Sequence, residues 1–405
     1  MDMLRISALI VLASLSGAWG GGAKRLDVVN DGEAAPPVLQ AAFTDVFTKG
    51  QGTHPAYRIP SVVVTKKGTV LAFIEGRSSL HDHAQNDILL RRSLDNGSTW
   101  GPAIVVHESG RDVLVNPCAV VLDSGRVLVM YQHFPAGYHA RSSGKIKRLT
   151  PGIQGDTVST TLLVHSDDDG ATWSKPRDVT AGTKRPTTVN STATGPGVGI
   201  VLRRGAHKGR ILMPTNEGWW VGNSRTFNVY ACFSDDGGET WSYGAPAPRG
   251  AKGHGNEVQM VELADGTVML NSRSAGGTRH RKTAVSTDGG QTWSELKDEL
   301  QHPEPQCMGS ILRYSWPTDK GKSRILFVCP GSQKGRKNGV VRLSYDEGKT
   351  WPVAATLYTG GYAYSCLTVL ADGSIGCLFE RDGYRFISFA RFTLDQLTGG
   401  KDKLE

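Results

Sequence analysis

SYDEGKTW, residues Ser344–Trp351, has four near-copies in this 405-residue chain. They are SLDNGSTW (Ser93–Trp100), SDDDGATW (Ser166–Trp173), SDDGGETW (Ser234–Trp241) and STDGGQTW (Ser286–Trp293). A phrase that returns every ~50–75 residues marks one supersecondary unit used repeatedly. The shared pattern Ser-x-Asp-x-Gly-x-Thr-Trp is turn chemistry. Asp accepts backbone hydrogen bonds, Gly takes a positive φ, and Thr and Trp return the chain to a strand on which the indole packs. These boxes lack the dense carboxylate spacing of a calcium loop, so their expected role is structural.

Around the boxes runs a second repeat of apolar run, Gly-containing turn, apolar run. It begins at Val62 (VVVTKKGTVLAFIE), Ala119, Gly199, Val258, Ser310 and Cys366 (CLTVLADGSIGCLFE), which predicts six hairpins. After each of the first five come a third apolar run and a box, so one unit reads strand, turn, strand, loop, strand, box, strand. Six such units predict an all-β, six-bladed β-propeller. The sixth unit ends in RFISFARF (Arg385–Phe392) and has no box. If the N-terminal segment Val38–Phe47 supplies its fourth strand, no chain joins strands three and four there, and the ring closes with five boxes.

Residues 1–20 hold an apolar stretch, Ile6–Leu15, followed by small residues, which reads as a secretory signal. The expected organisation is a signal over 1–20, a linker over 21–37, the propeller over 38–397 and a tail over 398–405. The protein is then exported, periplasmic or extracellular, with no stable membrane span. The net charge is +8, but Lys and Arg are spread along the chain without a nucleic-acid motif, so no nucleic-acid partner is expected. Six cysteines, none in a CxxC pair, could form disulfides in an exported chain, but several sit in apolar runs, where a buried thiol is the expected role. No cofactor is expected.

An up-and-down meander puts the first-strand starts and the loops after the second strands at one rim. That rim gathers Arg58, Arg77, Asp82, Asn116, Glu257, Arg273, Arg336, Tyr364 and Glu380. Arginine suits a carboxylate because its planar fork donates two parallel hydrogen bonds. His81 and His83 flank Asp82, but alternate residues of a strand point to opposite faces, so no metal site is expected there.

At these residues the chain resembles the exo-α-sialidases (neuraminidases) of bacterial type that carry Asp-boxes. Its YRIP (Tyr57–Pro60), FIEGR (Phe73–Arg77) with Asp82, VNPC (Val115–Cys118), GPGVGI (Gly195–Ile200), NEVQM (Asn256–Met260) with Arg273, YS (Tyr364–Ser365) and LFE (Leu378–Glu380) are similar to family segments in the same order. The resemblance implies a sialidase-like propeller that removes terminal sialic acids from glycoproteins, glycolipids or oligosaccharides, retaining the anomeric configuration. It implies Arg58, Arg273 and Arg336 as the clamp on the sugar carboxylate, Tyr364 as nucleophile with Glu257 as its base, and Asp82 as the acid. Arg77 would sit near the O4 side and Glu380 would hold Arg58 in place. Asn116 and Asn216 are candidates for a side pocket, with Trp219 and Trp220 of TNEGWW on the loop after the third unit's second strand. Two other readings remain: a noncatalytic Asp-box propeller that binds glycans or proteins, and a sialyl-transferring variant of the same scaffold.

Overall fold

The five boxes fold alike because each closes its own hydrogen bonds. In a computed structural model that describes residues 35–318 and 321–404, Ser93 Oγ donates to Asp95 Oδ1 at 2.7 Å and accepts from Gly97 N at 2.8 Å. Thr99 then donates to the same carboxylate from its amide at 2.9 Å and its hydroxyl at 2.6 Å. Ser344, Asp346, Gly348 and Thr350 repeat these contacts. Gly97 and Gly348 have φ of 84° and 81°, and a Cβ at Gly97 would strike the Phe389 ring. The expected signal (1–20) and most of the expected linker (21–37) lie outside the described residues.

These bonds tie the fold to pH. The hydroxyl and amide of Thr99 hold the Asp95 carboxyl at about 2, and those of Thr172 do the same for Asp168. An unfolded aspartate titrates near ~3.9, so this stabilisation is complete above that value and is lost as the pH falls towards 2. The thermal midpoint should drop through that window, and Asp95→Asn with Asp168→Asn should flatten the drop. A slope unchanged by both substitutions would show that the boxes do not contribute it.

Strands, most of them paired antiparallel, make up nearly all of the regular secondary structure among the described residues, with one 3-10 turn at Thr180–Gly182 and one α-helix at Leu394–Thr398. Strands Ala56–Val64, Val70–Arg77 and Asn86–Ser93 pair in order, and His254–Glu262, Val268–Ala275, His280–Ser286 and Lys297–Pro303 form a four-stranded sheet. The 17-residue strand Val353–Val369 serves two sheets: it pairs with Lys337–Ser344 through its first part and with Ile375–Arg381 through its second. The first described strand, Ala42–Thr48, pairs antiparallel with the last, Phe386–Phe392, so these two share one sheet. Buried Val, Leu, Ile and Phe fill the space between sheets, as alternation with two covered faces requires. All six cysteines are buried free thiols.

Two local expectations need correction. The third unit's first strand is broken into Ser191–Thr194, Gly197–Val198 and Ile200–Val201. Pro196 has no N–H for a ladder, and the Gln259 side chain bonds Pro196 O and Val198 O in its place. Trp219 and Trp220 are not on a loop but in strand Ile211–Val221, which pairs along its length with Ser224–Ser234 around a tight turn at Gly222, φ 58°. The polar C-terminal segment carries a capped helix, and Asp402 beyond it is buried against Arg324 at 2.6 and 2.7 Å. No described helix is long and apolar enough to cross a membrane.

Candidate active site

Four strands break register where they carry polar residues. The shifts fall between Arg58 and Ser61, Val115 and Cys118, Gly255 and Val258, and Tyr362 and Ser365. They enclose Ile59-Pro60, Asn116-Pro117, Asn256-Glu257 and Ala363-Tyr364. A bulge adds an unpaired residue and re-aims the neighbouring side chains, which is why bulges gather at functional sites. Ile59 and Asn116 have positive φ of 67° and 59°, and for β-branched Ile59 that conformation is strained. Ile59 N donates to Glu380 Oε1 at 2.9 Å and Asn116 N to Glu75 Oε1 at 2.7 Å, so buried carboxylates hold both bulges.

One cleft of about 270 Å³ is lined by nine of the expected residues: Arg58, Arg77, Asp82, Asn116, Asn216, Glu257, Arg273, Arg336 and Tyr364. Glu380 lies behind it, fully buried. Its carboxylate accepts from Arg58 Nε at 2.8 Å, Arg58 Nη2 at 3.1 Å and Tyr364 N at 3.1 Å. One side chain therefore fixes both a guanidinium and the backbone under the tyrosine. Trp219 and Trp220 do not line the cleft, and the Trp220 indole donates to Ala140 O at 3.2 Å.

The Tyr364 hydroxyl donates to Glu257 Oε1, and Arg273 Nη1 donates to Glu257 Oε2 at 2.9 Å and to the Tyr364 hydroxyl oxygen at 3.1 Å. Arg58 and Arg336 stand 5.1 and 5.2 Å from the centre of the Tyr364 ring. Burial and the Glu257 charge push the Tyr364 phenol well above the ordinary tyrosine value, while Arg273 and Arg336 pull it back. The phenol is thus protonated in the free protein and bonded to a carboxylate that can take the proton. Arg336 donates to the Tyr384 hydroxyl at 2.9 Å and to Gln306 O at 3.3 Å; it has no carboxylate partner among the described residues.

Asp82 sits on the loop after strand Val70–Arg77, its side chain 63% exposed, 3.3 Å from Arg77 and 3.8 Å from Arg58. Burial works to raise its carboxyl, but Arg77 and Arg58 outweigh burial and hold it below the ordinary aspartate value. Arg77 Nε is fixed by buried Glu75 at 2.7 Å. The His81 and His83 rings stack 5.3 Å apart beside the loop. Asn116 Nδ2 and Asn216 Nδ2 both donate to backbone carbonyls, Thr194 O at 3.2 Å and Ala193 O at 3.1 Å, so these amides also position the broken strand.

Sequence reading missed His139, Arg141, Thr192, Arg225 and Phe227, which also line the cleft. They come from the short strand Tyr138–His139 and the residues just after it, from the strand piece Ser191–Thr194 and from the long hairpin, where spacing carries no signal of direction. The register breaks did carry one: Pro60 and Pro117 stand inside strands, where proline marks a bulge or an edge.

Residues 68–377 match the BNR repeat-like domain family. The chain is 32% identical over 397 residues to a sialidase of Micromonospora viridifaciens, covering 95% of this chain and 59% of that protein. It is 30% identical to an exo-alpha-sialidase of Arthroderma benhamiae, covering 88% of this chain and 87% of the other. The chain spans about 60% of the length of the Micromonospora protein and of a sialidase of Bacteroides fragilis. Among solved structures, the Hadza microbial sialidase Hz136 aligns with a TM-score of 0.72 at 28% identity, over 85% of this chain and 67% of that one. An all-β chain with five boxes, a Tyr–Glu–Arg cluster at the strand ends and these relatives belongs to the BNR-repeat sialidase family.

Proposed function

We propose that the protein is a retaining exo-α-sialidase, which hydrolyses terminal α-linked sialic acids of glycoproteins, glycolipids or oligosaccharides through a tyrosyl-glycosyl intermediate. The observation that carries this reading is the Tyr364 phenol bonded to Glu257 with Arg58, Arg273 and Arg336 around it. A binding module has no need of a buried phenol paired to a base. The scaffold is read as a six-bladed propeller closed by the N-terminal strand. Neighbouring first strands support this: Ala56–Val64 adjoins Val113–Val121 and Val353–Val369; Ser310–Ser315 adjoins His254–Glu262 and Val353–Val369; Ile200–Val201 adjoins Val113–Val121 and His254–Glu262.

The clamp binds the sugar carboxylate beside the anomeric carbon. Tyr364 passes its proton to Glu257 as its oxygen attacks that carbon, and a neutral phenol approaches the adjacent carboxylate without the repulsion a charged nucleophile would meet. Protonated Asp82 gives its proton to the leaving oxygen. In the second half, Asp82 takes a proton from water as that water attacks the same carbon, and Glu257 returns its proton to the departing phenolate. Two inversions give net retention.

Substrate binding also prepares the acid. A carboxylate in the clamp offsets the Arg58 charge that depresses Asp82, so Asp82 should hold its proton to higher pH in the complex than in the free enzyme. Proton NMR of α-sialoside cleavage should show the α-anomer as first product, and the alkaline limb of kcat should lie above that of kcat/KM. Initial release of the β-anomer would overturn the retaining reading, and coincident limbs would overturn the coupling.

A further inference from the structure

Part of the cleft wall holds positive charge that the protein leaves without a counter-charge. Arg225, on strand Ser224–Ser234, and Arg141 both line the cleft, and neither forms an ion pair among the described residues. Arg225 is half-buried; it donates to Ser191 Oγ at 2.8 Å and lies 4.5 Å from the centre of the Phe227 ring. Glu217, on the paired strand, is already committed to Arg185 at 2.6 Å and to Asn228 at 3.1 Å. The other cleft arginines are treated differently. Arg58 has Glu380, Arg77 has Glu75 and Arg273 has Glu257. One substrate carboxylate in the clamp answers the excess charge at Arg336 and leaves Arg141 and Arg225 unanswered.

Burial and the neighbouring Arg141 pull the Arg225 guanidinium down to about 9, the mark of a partly desolvated cation with no carboxylate partner among the described residues. Such a cost is recovered when an anion binds. The pair stands on the Asp82 side of the cleft: half-buried His139 lines the cleft with Asp82, Arg141 and Arg225, its ring lies 6.3 Å from that of His83 next to Asp82, and it feels the charges of all three. The leaving group departs on the side of the acid. Farther out, exposed Arg148 and Arg249 stack on Trp220 and Trp219 at 3.7 and 5.3 Å, so the basic surface continues beyond the cleft.

Building on the proposed sialidase activity, we propose that Arg141 and Arg225 form a second anion subsite, which holds a carboxylate on the leaving part of the substrate. The favoured substrates are then glycans in which the sugar next to the one cleaved is itself acidic.

The test uses the full chain, an α2,8-linked disialyl lactoside and the same glycan with its internal carboxylate converted to the primary amide. Wild type at low salt should cleave the acid about tenfold better than the amide in kcat/KM, and the preference should shrink as salt rises. In Arg225→Gln and in Arg141→Gln the acid-to-amide ratio should fall to about twofold, while inhibition by free sialic acid, which reports the clamp and correct folding, keeps its constant. A ratio near one in wild type, or a ratio unchanged in both variants, overturns the second subsite while cleavage of 3′-sialyllactose leaves the sialidase reading standing. Failure to cleave 3′-sialyllactose or an aryl sialoside overturns both.

Discussion

Tyr364→Phe should lower kcat by about three orders of magnitude or more while the protein still binds a sialic-acid-like inhibitor. The substitution removes one oxygen from a ring whose position depends on Glu380, which accepts from Tyr364 N, and on packing with Ile59, Cys307 and Met308. Neither support involves the hydroxyl, so the fold should persist. What is lost is the proposed nucleophile and its hydrogen bonds to Glu257 and Arg273. Steady-state turnover of a fluorogenic α-sialoside, alongside calorimetry with the inhibitor, separates the two effects. Turnover within a few-fold of wild type would rule out a tyrosyl intermediate.

Exchange of any one clamp arginine for lysine should weaken a sialic-acid-like inhibitor by about 1–3 kcal/mol, because charge is kept but the fork is lost. The losses at Arg58, Arg273 and Arg336 should not add, since the three share one ligand group. Arg58→Lys should also disturb the scaffold most, because Nε and Nη2 of Arg58 engage both oxygens of buried Glu380, and one ammonium cannot replace that pair. Arg336, which among the described residues hydrogen-bonds Tyr384 and Gln306 and no carboxylate, should give the cleanest binding loss. Calorimetry with the free acid and its methyl ester decides the matter. Wild type should prefer the acid strongly and each variant should narrow that preference, whereas equal binding of acid and ester to wild type would remove the carboxylate as the recognised group.

The repeated box and the rim it implies were legible in the sequence for a local reason. Every bond in a box joins residues within four positions, so its geometry is written in eight consecutive residues and survives wherever they are placed. Strand alternation then carries the argument one step further. Once the units are a meander, antiparallel order alone assigns Arg58, Glu75, Glu257, Arg273, Tyr364 and Glu380 to the same rim.

Which way those side chains face is a different matter, decided by pairings that span the chain. The bulges at Ile59-Pro60 and Asn116-Pro117 depend on carboxylates 321 and 41 residues away, and Glu380 serves Arg58 at a separation of 322. Trp219 and Trp220 were expected on a loop because the third unit's second apolar run, RILMP, stops at Pro214, yet cross-strand pairing with Thr226 and Arg225 extends the strand through both. The same hairpin brings Arg225 into the cleft, far in sequence from every clamp residue. Local chemistry by itself determined the repeat, the strand order and the residue types gathered at the rim. Only the tertiary structure decided which arginines have counter-charges, because burial and ion pairing are properties of neighbours that the chain brings together by folding.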